Sequence, residues 1–376
     1  MEFQYIKATE FCTSVRDGTH DTPKQKEEGY KLVTGKHIKN GVIDSTDAYY
    51  ISEEDYNKIN ERSLVEQWDV LMSMIGTVGE VAVVKNTPDY AIKNIALFKC
   101  GGSELKGKWL SYYLKTPEAI GHMTGNQKGS SQQFLSLKQL RELPIAVTSE
   151  KCMKRIIDVL SVYDELIENN QKQIILLREV AQRLYKEWFI HLRYPGYEDL
   201  DIIDGLPEGW SNAKVTDLLE IKYGKDHKAL EEGDIPVYGS GGIMRKVQPV
   251  LYSGESVLIP RKGSLNNILF VEGDFWTIDT MFYSIPRLEN VAKYAYLYLC
   301  GLDMYSFNIG AAVPSMTTKI LSGMDIVLPS KQILQQFEEQ LSPVFARMKC
   351  LEMQCETAAE ARDRLLPKLM SGEIEL

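Results

Sequence analysis

The apolar positions of this chain repeat, and the repeat divides the sequence into two similar halves. Residues 129–189 align without a gap with residues 310–370, and the spacing of apolar positions is kept along the window although few residues are identical. Each copy has a short apolar run, at 143–147 or 324–328, followed by a polar turn and a long helical pattern. Such a repeat is typical of a duplicated module in which each copy forms the same structural unit.

Both helical patterns place apolar side chains at alternating steps of four and three residues, which is the spacing of a coiled-coil seam. The first predicted seam is formed by Ile156, Leu160, Tyr163, Ile167, Asn170, Ile174, Leu177 and Leu184. The second is formed by Phe337, Leu341, Val344, Met348, Leu351 and Leu365. Because a seam two positions wide cannot bury itself, we expect an intramolecular antiparallel coiled coil, about 60 Å long at about 1.5 Å per residue. The alternative is that each helix packs only on its own domain.

The rest of the chain predicts two globular domains of mixed α/β (α+β) class. In each of them, short apolar runs broken by glycines alternate with a helical pattern, and the elements follow in the same order. We therefore expect diverged copies of one fold, related by an internal pseudo-twofold repeat. The predicted organisation is a first domain at 1–150, a central helix at 151–192, a linker at 193–209, a second domain at 210–330 and a C-terminal helix at 331–376.

Loops of both predicted domains carry residues that are suited to DNA binding. Base edges and phosphates are recognised by Arg, Lys, Asn, Gln and hydroxyl side chains, and small residues let the backbone approach. The candidates in the first domain are Arg16, Thr19, His20, Lys36, His37, Asn126, Gln127, Lys128 and Ser130. The candidates in the second domain are Tyr238, Ser240, Arg261, Lys262, Ser264, Asn266 and Asn308. The alternative is that these residues form ordinary polar turns.

Composition and charge narrow the class of protein further. The chain has 376 residues, 44% of them hydrophobic, and a formal net charge of -9. No apolar run is long enough to cross a membrane and the first residues do not resemble a signal peptide, so we expect a cytoplasmic protein without a membrane partner. The net acidity argues against unaided, nonspecific binding to nucleic acid.

Patterns that suggest an enzyme are incomplete. Residues 102–108 have the spacing of a phosphate-binding loop, but Trp109 stands where Ser or Thr must supply a hydroxyl to Mg²⁺. Asp89, Glu104 and Lys106 resemble the two acids and a lysine of a metal nuclease, a short pattern that arises easily by chance. Methyltransferase motifs are missing, and the five histidines show no metal-ligand spacing. We therefore expect no catalytic residue, no metal site and no cofactor in this chain.

The alternation of two α/β segments with two long helices resembles the specificity subunit of type I restriction-modification systems over essentially the whole chain. Five short motifs carry this resemblance, and they are Asp17-Gly18-Thr19-His20, Leu206-Pro207-Glu208-Gly209-Trp210, Tyr238-Gly239-Ser240-Gly241-Gly242, Arg261-Lys262-Gly263-Ser264 and Arg364-Leu365-Leu366-Pro367. Each motif is short, but their common order along one chain is more specific than any of them alone.

The resemblance implies two target recognition domains, each reading one half of a bipartite DNA sequence, and a helical spacer that sets the half-site separation. The implied partners are double-stranded DNA, two modification (methyltransferase) subunits docked on the helices, and restriction/translocase subunits. Methylation and cleavage, with S-adenosylmethionine, ATP and Mg²⁺, then belong to the partner chains. Two alternatives stay open: the recognition subunit of a related system whose partner fuses methyltransferase and nuclease, and a coiled-coil scaffold that binds no DNA.

Overall fold

The computed structural model describes residues 2–39, 41–75, 78–124, 135–199, 201–203, 205–310 and 313–376. The chain forms two compact units, one of Met1–Asn169 with Gln354–Leu376 and the other of Asn170–Met353. Each unit contains a β-sheet domain and a segment of each of two long helices.

In the first unit, the β-sheet domain precedes the first long helix. Its strands are β1 (Gln4–Lys7), β2 (Ser14–Asp17), β3 (Tyr30–Thr34), β4 (Ile38–Lys39), β5 (Val42–Ile43), β6 (Tyr50–Ile51), β7 (Val70–Ser73), β8 (Val81–Val83), β9 (Tyr90–Lys93), β10 (Ile95–Lys99) and β11 (Pro144–Val147). Its helices are α1 (Ala8–Phe11), α2 (Glu53–Ser63), α3 (Glu104–Tyr113), α4 (Pro117–Thr124), α5 (Leu137–Arg141) and the first part of α6 (Glu150–Tyr185). A four-stranded sheet has the order β2-β10-β7-β8, and a three-stranded sheet has the order β6-β3-β9 with β3 and β9 parallel.

In the second unit, the β-sheet domain lies between the two long helices in sequence. Its strands are β12 (Ile202–Ile203), β13 (Leu206–Pro207), β14 (Ser211–Lys214), β15 (Leu219–Tyr223), β16 (Ile235–Gly239), β17 (Gly242–Val247), β18 (Tyr252–Pro260), β19 (Leu269–Thr277), β20 (Met281–Pro286) and β21 (Asp325–Leu328). Its helices are α7 (Val215–Leu218), α8 (Ala292–Cys300), α9 (Thr318–Gly323) and the first part of α10 (Lys331–Met370), while a π-helical turn at Lys186–Ile190 extends α6. The main sheet has the order β15-β20-β18-β19-β16-β17, with β16 and β19 parallel.

The start of each β-sheet domain uses the same backbone pairing. In the first unit β1 pairs with β11, and the Ala8 N–H donates to the Leu143 carbonyl at 2.9 Å. In the second unit β14 pairs with β21, and the Val215 N–H donates to the Met324 carbonyl at 3.1 Å. Leu143 and Met324 correspond in the sequence repeat, so the repeated pattern encodes a repeated structure.

Helices α3 and α8 anchor the domains through equivalent hydrogen bonds. In each helix, two aromatic side chains four residues apart donate to two carbonyls of the strand that precedes the long helix. These bonds join Trp109 Nε1 to the Ala146 carbonyl (2.8 Å), Tyr113 Oη to Pro144 (2.7 Å), Tyr294 Oη to Val327 (2.5 Å) and Tyr298 Oη to Asp325 (2.5 Å). Trp109, which interrupts the phosphate-loop pattern, is therefore a fully buried anchor of the first domain.

The long helices pack together in opposite directions within each unit. In the first unit Asp164 accepts from Arg362 Nη1 at 2.6 Å, and the Ile167 carbonyl accepts from the Cys355 thiol at 3.7 Å. Residue numbers along α10 therefore decrease as those along α6 increase, which makes the two helices antiparallel. In the second unit Gln173 accepts from Arg347 at 3.3 Å, while Trp188 packs on Phe337 with ring centres 5.3 Å apart.

None of the predicted seam residues is exposed. The buried members are Ile156, Leu160, Asn170, Ile174, Phe337, Leu341, Met348 and Leu351. The half-buried members are Tyr163, Ile167, Leu177, Leu184, Val344 and Leu365. The prediction of a mixed α/β protein with two long packed helices is confirmed.

A buried cation ties the sheet of the second unit to its helices. Lys293 in α8 lies 2.6 Å from Glu255 Oε1 on β18 and 2.5 Å from Glu338 Oε1 on α10. Its ammonium also lies over the rings of Phe270 and Phe345, at 5.2 Å and 5.8 Å. Such a buried cation is tolerated because two carboxylates and two aromatic faces replace its hydration.

Candidate nucleic-acid interface

Asp17 organises the polar side chains that follow β2 in the first unit. Its carboxylate is almost fully buried, accepts a hydrogen bond from Arg62 Nη2 and lies 2.9 Å from His20 Nε2. The other ring nitrogen of His20 lies 2.7 Å from Asn94 Oδ1, and Arg16 Nη1 donates to the Arg62 carbonyl at 2.7 Å. The His20 and Arg62 side chains keep more than half of their surface exposed, so they are oriented on one side and open to a ligand on the other.

The position of Thr19 and His20 depends on a glycine at the preceding residue. The Gly18 N–H donates to the Ile95 carbonyl at 2.9 Å, and the Thr19 N–H donates to the Ile92 carbonyl at 3.0 Å. A Cβ atom on Gly18 would lie 2.4 Å from the Ile92 oxygen, which no real side chain tolerates. The chain can therefore cross closely over the end of β9 only because residue 18 is glycine.

An open cleft of about 790 Å³ lies beside this network. The charged residues that line it are Lys24, Lys26, Lys58, Arg62, Asp21, Glu54 and Asp55, four cations against three acids. Thr19, His20 and Ser52 add further polar side chains. A nearly balanced cleft of this kind favours specific hydrogen bonding over general attraction of a polyanion.

Arg62 was not among the candidates from the sequence. It lies in the last turn of α2 rather than in a Gly-rich or Asn-rich loop, and nothing in its local sequence sets it apart. Its contacts with Asp17 and Arg16, about 45 residues away in the chain, bring it to the site. A local pattern carries no signal for such a long-range pair.

Lys36 and His37 have different positions although they are adjacent. Lys36 is exposed and its Nζ lies 3.2 Å from Asp47 Oδ2. His37 is buried, and its Nδ1 accepts from the Thr34 N–H at 2.8 Å, which holds the 3₁₀ turn Gly35–His37. Burial and the neighbouring Lys36 charge lower the pKa of His37, which favours the neutral acceptor form. His37, expected in a DNA-facing loop, instead supports that loop from inside.

Four first-domain candidates, Asn126, Gln127, Lys128 and Ser130, lie outside the described residues.

In the second unit, the candidates come together from three separate segments of the chain. The Gly263 N–H donates to the Pro314 carbonyl at 3.0 Å, and Lys262 and Ser315 pair as an isolated antiparallel bridge. Asn267 Nδ2 donates to the Ser240 carbonyl at 2.8 Å. These contacts join the segments that contain Tyr238, Ser240, Arg261, Lys262, Ser264, Asn266 and Asn308.

The members of this cluster have different roles. Asn308 Oδ1 accepts from the N–H groups of Gly310 and Ser315, both at 2.8 Å, and Asn266 Oδ1 accepts from the Met304 N–H at 2.8 Å. Asn308 therefore shapes its own loop, whereas Asn266 links its loop to the start of the turn at Met304–Phe307. The Tyr238 ring packs edge-to-face on Phe275 with centres 6.3 Å apart. Lys262 and Ser264 are exposed.

Arg261 is the most ordered cation of the cluster. Its Nη1 donates to the Asp279 carbonyl at 3.0 Å, and its guanidinium carbon lies 5.4 Å from the centre of the Tyr223 ring. Tyr223 is 52% exposed, so the stacked pair lies at the surface. A planar donor group held in this way is suited to a bidentate contact with guanine or phosphate. Tyr223 was also missed by the sequence analysis.

Across the part of the chain that the structure describes, no group of three or more His, Cys, Asp or Glu side chains could hold a metal ion. Among those same residues, no helix has both the length and the apolar content to cross a membrane.

Comparisons with known proteins agree with the fold and with the motifs. The model of the type I restriction modification DNA specificity domain matches residues 1–178 and 207–354. The MjaIX specificity subunit of Methanocaldococcus jannaschii is 26% identical over 368 residues, covering 87% of this chain and 84% of that protein. The HindI specificity subunit of Haemophilus influenzae is 20% identical over 349 residues, covering 69% and 75%.

A solved structure supports the same fold. The crystal structure of a type I restriction-modification S subunit from M. genitalium superposes with a TM-score of 0.53 at 18% identity, covering 98% of this chain and 96% of that one. The family model spans both β-sheet domains and part of each long helix, so the resemblance drawn from the motifs is confirmed. The chain therefore belongs to the family of type I restriction-modification DNA specificity subunits, which are non-catalytic and carry no cofactor of their own.

Proposed function

We propose that each β-sheet domain of this specificity subunit reads one half of a bipartite sequence in double-stranded DNA. The observation that carries the proposal is the convergence of the three polar segments in the second unit, which are far apart in sequence and are linked by hydrogen bonds. Their convergence places several polar side chains on one surface, as recognition of a base sequence needs. The Asp17 network of the first unit gives a second set of oriented donors.

The two surfaces differ in their chemistry, which suits half-sites of different sequence. Arg261 offers a planar fork, which suits the paired acceptors of guanine in the major groove. The first domain offers the imidazole of His20 and the guanidinium of Arg62, both oriented by Asp17. Exposed Lys36 and Lys262 are suited to phosphate contacts, which position the protein without reading sequence.

We propose further that α6 and α10 set the separation of the half-sites and dock two modification subunits, which restriction/translocase subunits then join. Both helices belong to both compact units, as a spacer requires. On α6, Val162 and Leu166, and then Leu176 and Val180, are exposed at helical spacing. Exposed apolar side chains on a polar helix are typical of a protein contact.

The partners also explain the charge of the chain. With a net charge of -9, this subunit is poorly suited to neutralise many phosphates alone. Modification subunits that add basic surface would supply those contacts, and they would bring S-adenosylmethionine. The restriction/translocase subunits would bring ATP and Mg²⁺.

Single-molecule methylation mapping tests the proposal. A host that expresses this chain with its modification subunit should carry methylated adenine or cytosine in one two-part motif with a gap of unspecified bases. The same host without this chain should lose that motif completely. Methylation that persists without the chain, or a motif without a gap, would reject the proposal.

A further inference from the structure

The close approach of the backbone at Gly18 in the first domain recurs at Gly224 in the second domain, and Gly224 belongs to none of the sequence motifs. The Gly224 N–H donates to the Met281 carbonyl at 3.0 Å, as the Gly18 N–H donates to Ile95. A Cβ atom on Gly224 would lie 2.0 Å from the Ile278 oxygen, a closer approach than the 2.4 Å at Gly18. Each glycine directly follows the strand that begins the main sheet, β2 or β15.

The residue after each glycine is held in the same way. The Lys225 N–H donates to the Thr277 carbonyl at 2.9 Å, and the Thr19 N–H donates to the Ile92 carbonyl at 3.0 Å. Residues 225–228 of the second domain therefore have the position that residues 19–22 have in the first. The two segments share no side-chain motif, because the backbone crossing constrains only the glycine.

The environment of Lys225 connects this segment to Arg261. Trp276 Nε1 donates to the Lys225 carbonyl at 3.1 Å, which fixes the backbone, while the side chain is exposed. Thr277, the last residue of β19, accepts the Lys225 N–H, and the turn that follows β19 holds Arg261 through the carbonyls of Asp279 and Thr280. The backbone of Lys225 and the side chain of Arg261 are therefore held by adjacent residues at the end of β19.

The charges around this turn are mostly positive. Within residues 225–228, 261–262 and 278–280, the cations are Lys225, Lys228, Arg261 and Lys262, and the acids are Asp226 and Asp279. Asp226 Oδ1 accepts from the Lys228 N–H at 3.1 Å, so this carboxylate serves the turn of its own loop. Four cations and two acids leave a local excess of positive charge on a chain that is acidic as a whole.

We infer that the loop at 225–228 is a further DNA contact of the second domain, in which Lys225 binds a backbone phosphate beside the bases contacted by Arg261. A lysine ammonium is a compact charge without the planar fork of arginine, so phosphate is its natural ligand here. This inference rests on the proposed function, because it assumes that the Arg261 surface faces DNA.

Lys225→Gln in the assembled complex with the modification subunits tests the inference. The matched control is Lys222→Gln, which removes the same charge from β15, where Lys222 Nζ is paired with Glu220 Oε1 at 2.6 Å. Fluorescence anisotropy at several salt concentrations measures binding to one duplex with the mapped target and to a second duplex without it. Lys225→Gln should weaken binding to both duplexes by the same factor. It should also reduce the slope of log affinity against log salt concentration by about 0.9, while Lys222→Gln leaves this slope unchanged.

Three outcomes are decisive. Equal behaviour of the two variants, in a complex that still prefers the target, overturns the inference and leaves the proposed function intact. A loss confined to one base pair with an unchanged salt slope also overturns it, since Lys225 then reads a base. If the wild-type complex shows no preference for the target, the proposed function itself fails. Lys225→Glu checks the sign of the electrostatic effect, because repulsion between the added carboxylate and phosphate should weaken binding to both duplexes further.

Discussion

Replacing Arg261 with alanine separates base reading from phosphate binding in the second domain. The guanidinium is oriented before DNA arrives, by the Asp279 carbonyl at 3.0 Å and by the Tyr223 ring at 5.4 Å. One of its five N–H donors is used by that carbonyl. A donor group that is already ordered loses little side-chain entropy on binding, so its contact with DNA keeps most of its free energy.

The expected magnitudes differ for folding and for recognition. The hydrogen bond from a charged donor contributes about 1.5 kcal/mol, and an exposed cation–π contact adds about 0.5–1 kcal/mol. Arg261→Ala should therefore lower the free energy of unfolding by about 2 kcal/mol. If Arg261 contacts guanine through two donors, discrimination at that base pair falls by about 1–3 kcal/mol, or about 5-fold to 140-fold in affinity.

The assay varies each base pair of the target in turn and measures binding of the complex by fluorescence anisotropy. Arg261→Lys keeps the charge but removes the planar fork, so it should lose the base preference and retain the salt slope. Arg287→Ala removes the same charge from an exposed position after β20 and should change neither the base preference nor the salt slope. If Arg261→Ala binds every duplex as tightly as wild type does, Arg261 does not contact DNA and has only a structural role.

Four further predictions concern the buried cation, the first domain and the helices. Lys293→Met leaves Glu255 and Glu338 without their cation and should lower the free energy of unfolding by about 3 kcal/mol in urea denaturation; an unchanged midpoint would contradict the network. Burial opposes the charged form of Lys293, but hydrogen bonds to the two carboxylates outweigh burial and raise the pKa of Lys293. The stabilisation by Lys293 should therefore be full below the ordinary lysine pKa and be lost as pH rises through the raised pKa. Thermal denaturation at alkaline pH measures this loss. Asp17→Asn should release His20 and Arg62 and weaken recognition of one half-site alone, so methylation assays that show equal losses at both halves would count against it. A heptad inserted beside Asn170 lengthens the helix by about 10 Å, so the gap between the mapped half-sites should grow by about three base pairs at about 3.4 Å each. An unchanged gap in an assembled, active complex would exclude a spacer role for the helices.

The helices were predictable from the sequence because their packing is encoded locally. Alternating steps of four and three residues place apolar side chains on one face of a helix whatever the rest of the chain does. The predicted repeat is also confirmed, because residues such as Leu143 and Met324 keep their spacing to the following helix. Both signals lie within a window of a few turns.

The sites were less predictable because they depend on contacts between distant residues. Arg62 and Tyr223 join their sites through Asp17 and Arg261, and neither lies in a motif. His37 lies in a loop whose composition is typical of a binding loop, but its side chain turns inward and accepts a hydrogen bond from the Thr34 N–H. The crossing at Gly224 is defined by the carbonyl of Ile278, which a linear pattern cannot show.

Exchange of one β-sheet domain tests whether each domain reads one half of the DNA target. Residues 210–330 are replaced by the corresponding domain of another specificity subunit with a known target, and the methylated motif is mapped in a host that also expresses the modification subunit. We expect a motif in which one half changes to that of the donor, while the other half and the gap stay as they were. A motif in which both halves change, or in which neither changes, would contradict it.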